Sequence, residues 1–389
     1  MHIAIDAVGI RGHGGAAVLC ELLHWLPIAR PDWRWHVFLF ERDLREFDDP
    51  NVAEKVILEF TRGGNSGVAR LGWVNSKLQR RLREIRTDLI FSVANVGARR
   101  PVVPQVVFVH QLNAFNHNSL VNSGFLNPLR MSFLRWQILS GAKASTAVIV
   151  QTESMRNQMQ QFEPSLAGRI QVIPSGYRTI AENPRIREDV RETILSSSTP
   201  RLIYVSHPSE HKNHLNLIRS LPSIVKIWPS LKLLLTLDCD QKKNKRYASF
   251  VAEILKTAIS LDVEKNIAFL GILNSDEVYY ALSNCAVMVF PSLAESFGLG
   301  LVEAMVAGCP IAASNLPYAH NVAGGAAIYF DPDDPESIAR SCLYLLDDPS
   351  EPIRLKKEGA RLITEYSYAN IAERIASVFE THGTAGGYG

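Results

Sequence analysis

Short β-branched runs alternate with segments of helical period along this 389-residue chain, and that alternation points to a parallel α/β architecture. In the first half the strand-like runs fall at about 2–6, 35–40, 56–60, 88–92, 106–110, 147–151 and 170–173, and helical segments near 16–29, 68–86, 128–142 and 153–161. A polar stretch, 177–200, carries Pro184, Pro200 and the run Ser196–Thr199, and makes the best linker. The pattern then restarts with RLIYVS at 201–206. Strands follow near 232–237, 267–270, 287–290, 311–313 and 326–330. Helices follow near 213–228, 245–260, 275–284, 299–307, 335–347 and 351–365. Two Rossmann-like domains are expected, 1–178 and 179–366, with a helix at about 367–382 and a Gly-rich, disordered tail at 383–389.

An apolar content of 47% fills two cores, yet no run of about 18 apolar residues exists to span a membrane. The opening MHIAIDAVGI reads as a first strand, not as a leader. Five widely spaced cysteines without a CxxC fit free thiols in a reducing cytoplasm. Charge is unevenly divided: residues 1–178 hold 21 Lys and Arg against 14 Asp and Glu, net +7, and the rest hold 20 against 25, net −5. A basic first half suits an anionic surface or a phosphorylated acceptor, and also fits plain solvated charge.

The most informative stretch is VMVFPSLAESFGLGLVEAMVAGCPIAAS at 287–314. Strand Val287–Phe290 breaks at Pro291, a loop carries Glu295, Ser296 and Gly298, and a helix from Leu299 to Ala307 ends at Gly308. Glu295 and Glu303 thus stand eight positions apart at the carboxyl end of a parallel strand, where open α/β sheets bind ligands. The helix N-terminus between them suits phosphate.

This stretch resembles the E-x7-E motif of the retaining GT-B glycosyltransferases of family 4. The resemblance implies two domains facing across a cleft, with the last helix packed back on the first. Glu295 would contact donor-sugar hydroxyls, Glu303 the nucleotide ribose, and the amides around Ser296, Phe297, Gly298 and Leu299 the diphosphate. Lys212, just ahead of a helix whose plausible N-cap is Asn213, matches the family's lysine and would balance the diphosphate. Many members carry an arginine six positions earlier; here that position is Ser206. His110, at the end of strand 106–109, matches a family histidine near the sugar, with a role in orienting the donor sugar or the acceptor hydroxyl. Resemblance sets the Gly12, Gly14, Gly15 loop beside the donor phosphates and the acceptor. It is G-x-G-G, not the G-x-G-x-x-G of dinucleotide binders. Thr152 reads as an N-cap that could also touch acceptor.

No cofactor or metal is expected. His207, His211 and His214 are interrupted by Pro208, and Asp238-Cys239-Asp240 belongs to the single-domain GT-A pattern if it binds metal at all. The segment 68–86 holds Arg70, Lys77, Arg80, Arg81, Arg83 and Arg86 over an apolar stripe with Leu71, Trp73 or Val74, Leu78, Leu82 and Ile85. Such a helix packs on its own sheet or lies on anionic lipid. No nucleic-acid module is recognisable.

The resemblance implies a metal-independent, retaining hexosyltransferase of bacterial surface polysaccharide or lipid-linked glycan synthesis. Its donor would be a UDP- or GDP-hexose and its acceptor an oligosaccharide or lipid-linked hydroxyl. The expected location is cytoplasmic, with peripheral contact to the inner face of the membrane. The rivals are a nucleotide-sugar 2-epimerase, a hydrolase using both glutamates, and a catalytically silent sugar-binding protein.

Overall fold

The computed structural model describes residues 1–10, 13–40, 56–61, 67–111, 114–115, 127–178, 184–195, 200–238 and 247–383. Gly12, Cys239, Asp240, the Ser196–Thr199 run and the 384–389 tail lie outside the described residues. The chain divides into two compact units, Met1–Gly176 together with the segment from Ser367, and Tyr177–Tyr366.

The first unit is built on a parallel sheet of β1 (His2–Asp6), β2 (Arg34–Phe40), β3 (Val56–Thr61), β4 (Leu89–Ser92), β5 (Gln105–Val109), β6 (Ala147–Val150) and β7 (Ile170–Val172). Their order is β3-β2-β1-β4-β5-β6-β7, with Ile5 opposite Val37 on one side and Phe91 on the other. β1, β4, β5 and β6 are buried along their whole length, and their central residues read as continuous apolar runs with polar residues only at strand ends. Helices α1 (His13–Ala29), α3 (Asn127–Lys143) and α4 (Glu153–Phe162) follow β1, β5 and β6.

The basic segment forms α2, made of Gly67–Gly72 and Leu78–Ile85 joined by a π turn at Trp73–Lys77. The wider turn buries both Trp73 and Val74, where a regular period would bury one of them.

The second unit repeats the plan with β8 (Arg201–Tyr204), β9 (Lys232–Leu235), β10 (Ile267–Phe269), β11 (Val287–Phe290), β12 (Ile311–Ser314) and β13 (Ala327–Phe330), ordered β10-β9-β8-β11-β12-β13 and all parallel. The supposed linker contains α5 (Glu188–Leu195), whose Val190 and Ile194 are buried in this unit's core. Helices α6 (His214–Val225), α7 (Ala248–Ser260), α8 (Ser275–Ser283) and α9 (Leu299–Val306) follow. Then come α10 (Pro317–Ala323), unforeseen and opened by Pro317, α11 (Pro335–Asp347) and α12 (Ser350–Leu362).

The final helix, α13 (Tyr368–Gly383), belongs to the first unit. Its Ile371, Ile375 and Phe379 are buried there, and the Phe379 ring meets Phe91 edge-on at 5.0 Å. Burying a side chain of this size contributes about 1.5–3 kcal/mol. At the surface, Arg30, just past the end of α1, donates to Glu373 and Glu380 at 2.7 Å each.

Candidate active site

In the second unit the strand order reverses between β8 and β11, so the loops after these two strands open apart from each other at the carboxyl edge. Those loops, 205–213 and 291–298, hold Ser206, Lys212, Glu295, Ser296, Phe297 and Gly298. They are stitched together. Leu293 N–H donates to the His211 carbonyl at 2.8 Å, and the Asn213 side chain donates to the carbonyls of Pro291 and Pro332 at 3.1 and 2.8 Å. Buried Tyr204 donates to the Lys212 carbonyl at 2.9 Å and shares a hydrogen bond of 2.8 Å with Ser292. Asn213 is therefore not a side-chain cap of α6. It sits in the left-handed region at φ 58°, and its amide braces the two loops instead.

This scaffold brings Lys212 and Glu295 together, with Nζ 2.5 Å from Oε1. Each side chain is 13% exposed, so the pair is screened less than a surface ion pair. Ser206 is pinned by Thr236, through its N–H at 2.9 Å and its carbonyl at 3.1 Å, and its hydroxyl meets His214 Nε2 at 3.1 Å. Burial, with Lys212 nearby, lowers the pKa of His214 to about 3. The same causes lower that of His211. His214 is thus neutral near pH 7 and does not supply the charge that an arginine at Ser206 would have brought.

Gly298, at φ 92°, turns the loop into α9 in a conformation that L side chains rarely adopt. A Cβ on Gly300 would stand 3.0 Å from Met288 Cε and 3.1 Å from Phe290 Cε2, so a glycine lets α9 lie close on β11. The first-turn amides of Leu299 and Gly300 have no partner within the helix by geometry. Phe297 is buried with its ring edge-on to Tyr366, so only its main chain can face a ligand. Ser296 is half-buried in the same loop.

Glu303, one turn into α9, lines a pocket with Tyr177, Arg178, Ser275, Asp276 and Tyr279. Desolvation raises its pKa from 4.5 to about 7. None of Tyr177, Arg178, Ser275, Asp276 and Tyr279 was singled out from the sequence. Their signal is positional only: Ser275 and Asp276 open α8, the helix packed beside α9.

In the first unit, His110 follows β5 directly. Its main-chain N–H donates to Asn95 Oδ1 at 2.8 Å, and Asn95 Nδ2 meets its Nε2 at 3.2 Å. Burial lowers the pKa of His110 to about 4, so the ring is neutral near pH 7. Asp6, ending β1, is fully buried and accepts from both terminal nitrogens of Arg70, at 2.9 and 2.6 Å, and from the Trp73 indole at 3.0 Å. Arg70 therefore leaves the basic face of α2. Arg81 binds Glu59 and Glu84. Gly14 and Gly15 lie in the first turn of α1, and a Cβ on Gly15 would approach Ile10 at 3.2 Å. Thr152 is the N-cap of α4, its hydroxyl accepting from Met155 N–H at 3.2 Å.

The four cysteines among the described residues are free thiols. Among those residues no helix is long and apolar enough to cross a membrane.

Two family models match the chain: Glycosyl transferases group 1 over residues 186–362 and Glycosyltransferase Family 4 over residues 13–179. Among curated proteins, the O-antigen chain mannosyltransferase B of Escherichia coli is 28% identical over 114 residues, covering 29% of this chain and 30% of that protein. The GDP-mannose-dependent monoacylated alpha-(1-6)-phosphatidylinositol monomannoside mannosyltransferase of Corynebacterium glutamicum is 22% identical over 266 residues, 63% of this chain and 67% of that one. The match to the O-antigen relative thus spans under a third of its length. Among solved structures, the sucrose-phosphate synthase of Thermosynechococcus elongatus superposes with a TM-score of 0.74 at 19% identity, covering 99% of this chain and 100% of that one. With two parallel sheets of this order and matches running through both units, the chain belongs to the GT-B glycosyltransferases of family 4.

Proposed function

We propose that this glycosyltransferase moves a hexosyl group from a nucleoside diphosphate sugar to a hydroxyl acceptor, with retention at the anomeric carbon and without a metal. The Lys212–Glu295 pair beside the first turn of α9 is the observation that carries this reading. A donor diphosphate offers Lys212 a stronger anionic partner, and the amides of Leu299 and Gly300 add positive dipole ends. Glu295, released from the lysine, accepts from sugar hydroxyls. Glu303 accepts from the ribose in the pocket it shares with Arg178 and Asp276. Positioned cations and amides stabilise the departing diphosphate without proton transfer.

The mannosyltransferase relatives favour a hexosyl donor, and the one named for GDP-mannose favours a nucleotide sugar. Their O-antigen and phosphatidylinositol substrates favour a lipid-linked or oligosaccharide acceptor in surface glycan synthesis. An anionic membrane face suits the first unit. The exposed residues Lys77, Arg80 and Arg83 of α2, with Arg86 at its C-cap, would meet it, not the set that includes Arg70 and Arg81.

The test is incubation with GDP- and UDP-hexoses, with and without a hydroxyl acceptor and excess chelator, followed by proton NMR of the anomeric signal. Transfer with retained configuration in chelator is expected. Epimerised nucleotide sugar without acceptor, inverted product, or complete loss of transfer in chelator would each overturn the corresponding part.

A further inference from the structure

His110 and Asn95 sit side by side because β4 and β5 pair in parallel, with Ser92 opposite Val107. Asn95 lies three residues beyond β4 and His110 one beyond β5. Asn95 holds φ at 66°, a left-handed conformation that asparagine tolerates better than most residues. That backbone posture aims its amide at His110, which it meets twice.

The two contacts together identify the atoms. Asn95 Oδ1 accepts the His110 main-chain N–H, so the other end of the amide, facing the ring, is the NH2 group. An NH2 group only donates, so His110 Nε2 accepts. A neutral imidazole with an accepting Nε2 carries its proton on Nδ1. Nδ1 has no hydrogen-bond partner among the described residues. The Phe108 ring, edge-on at 5.5 Å, flanks the imidazole.

We infer that Asn95 is a positioning residue that holds His110 in the Nδ1–H tautomer, so that His110 serves substrate as a hydrogen-bond donor and not as a base. The inference rests on the glycosyl-transfer reading only for what His110 meets: a hydroxyl or ring oxygen of a sugar, which accepts a hydrogen bond. With Nε2 engaged and Nδ1 protonated, the ring takes no proton from an acceptor hydroxyl, and that proton leaves by another group.

Long-range proton–nitrogen NMR on protein carrying ring-labelled histidine reads the tautomer directly, with His110→Gln to assign the signals. Nδ1 should appear protonated and Nε2 bare at neutral pH. An Nε2–H ring, or an averaged one, would overturn the inference. Asn95→Gly keeps the left-handed backbone accessible and removes the clamp. It should average the tautomers and lower kcat by roughly tenfold, the worth of one oriented hydrogen bond, with the donor KM little changed. Asn95→Asp keeps the main-chain acceptor but demands a proton on Nε2, so its ring should flip to the Nε2–H form and kcat should fall likewise. Wild-type turnover in an Asn95→Asp protein whose ring has flipped would refute the donor role. The spectrum needs no substrate. A protein that shows the Nδ1–H ring and transfers no sugar would sink the glycosyl-transfer reading and leave the tautomer assignment standing.

Discussion

Nucleotide binding should be coupled to a proton through Glu303. Its carboxyl has a pKa of about 7 in place of 4.5, because desolvation disfavours the charged form. Ribose hydroxyls can donate only to lone pairs, and they favour the carboxylate, so binding should restore an ordinary pKa. The full difference of about 2.5 units corresponds to about 3 kcal/mol, or ~300-fold in affinity between the ionised and protonated limits. Glu303 is only half-buried, which reduces the expected span to about ten- to a hundred-fold.

The sign is fixed. At pH 6 the free carboxyl is about nine-tenths protonated and binding releases close to one proton; at pH 8 it releases almost none. Calorimetry with GDP or UDP in buffers of different ionisation enthalpy measures that number. Glu303→Gln should bind more weakly at pH 8 and lose the difference in proton release, which separates Glu303 from the ionisation of the diphosphate itself. Equal proton release by wild type and Glu303→Gln at pH 6 would refute the reasoning. Stability should run the other way. The folded carboxyl keeps its proton between 4.5 and about 7, so its contribution falls as pH rises through that window, and Glu303→Gln should melt higher than wild type above it.

Glu295→Gln should reduce turnover while leaving affinity for free nucleoside diphosphate unchanged or slightly higher, since Lys212 loses its competing partner; weaker diphosphate binding by calorimetry would contradict that division. Arg70→Ala strands a fully buried Asp6 carboxylate and should cost about 3–5 kcal/mol in urea unfolding. A loss under 1 kcal/mol would mean that the site relaxes to water. Gly300→Ala should cost about 1–3 kcal/mol through overpacking against Met288 and Phe290, with a lowered Tm as the readout. Sedimentation with anionic vesicles should show binding that weakens with salt, each α2 cation contributing about 1 kcal/mol. Lys77, Arg80, Arg83 and Arg86 changed together to Ser should release the protein, and equal binding to neutral vesicles would return α2 to a solvated face.

The strands were legible because a parallel strand covered on both faces is apolar nearly throughout, as β6 and β11 are at every position, and such runs stand out. What escaped has physical reasons. α5 anchors itself through Val190 and Ile194 within a polar stretch, too few apolar positions to show a period. α10 spans seven residues, shorter than two full turns. Arg70 was hidden by its neighbours, since a run of arginines reads as one solvated face, and its partner Asp6 lies 64 positions away. The same distance problem applies to Lys212 and Glu295. Motif spacing singles out each of them, but their contact exists only because β8 and β11 are adjacent in the sheet. Asn95 carried no signal: its importance comes from a backbone angle and a neighbour on the next strand.

The last helix gives this chain an order of assembly. The second unit is continuous from Tyr177 to Tyr366, whereas the first lacks part of its core until Tyr368–Phe379 has been made. During synthesis the α13-facing side of α1 therefore waits, uncovered, while some 190 later residues emerge. Released chains truncated after Tyr366 should resist protease across the second unit and remain open to it across the first. Of the two units, the one begun first would be the last to become native, and a chain cut before Ser367 would be damaged most in residues 1–176.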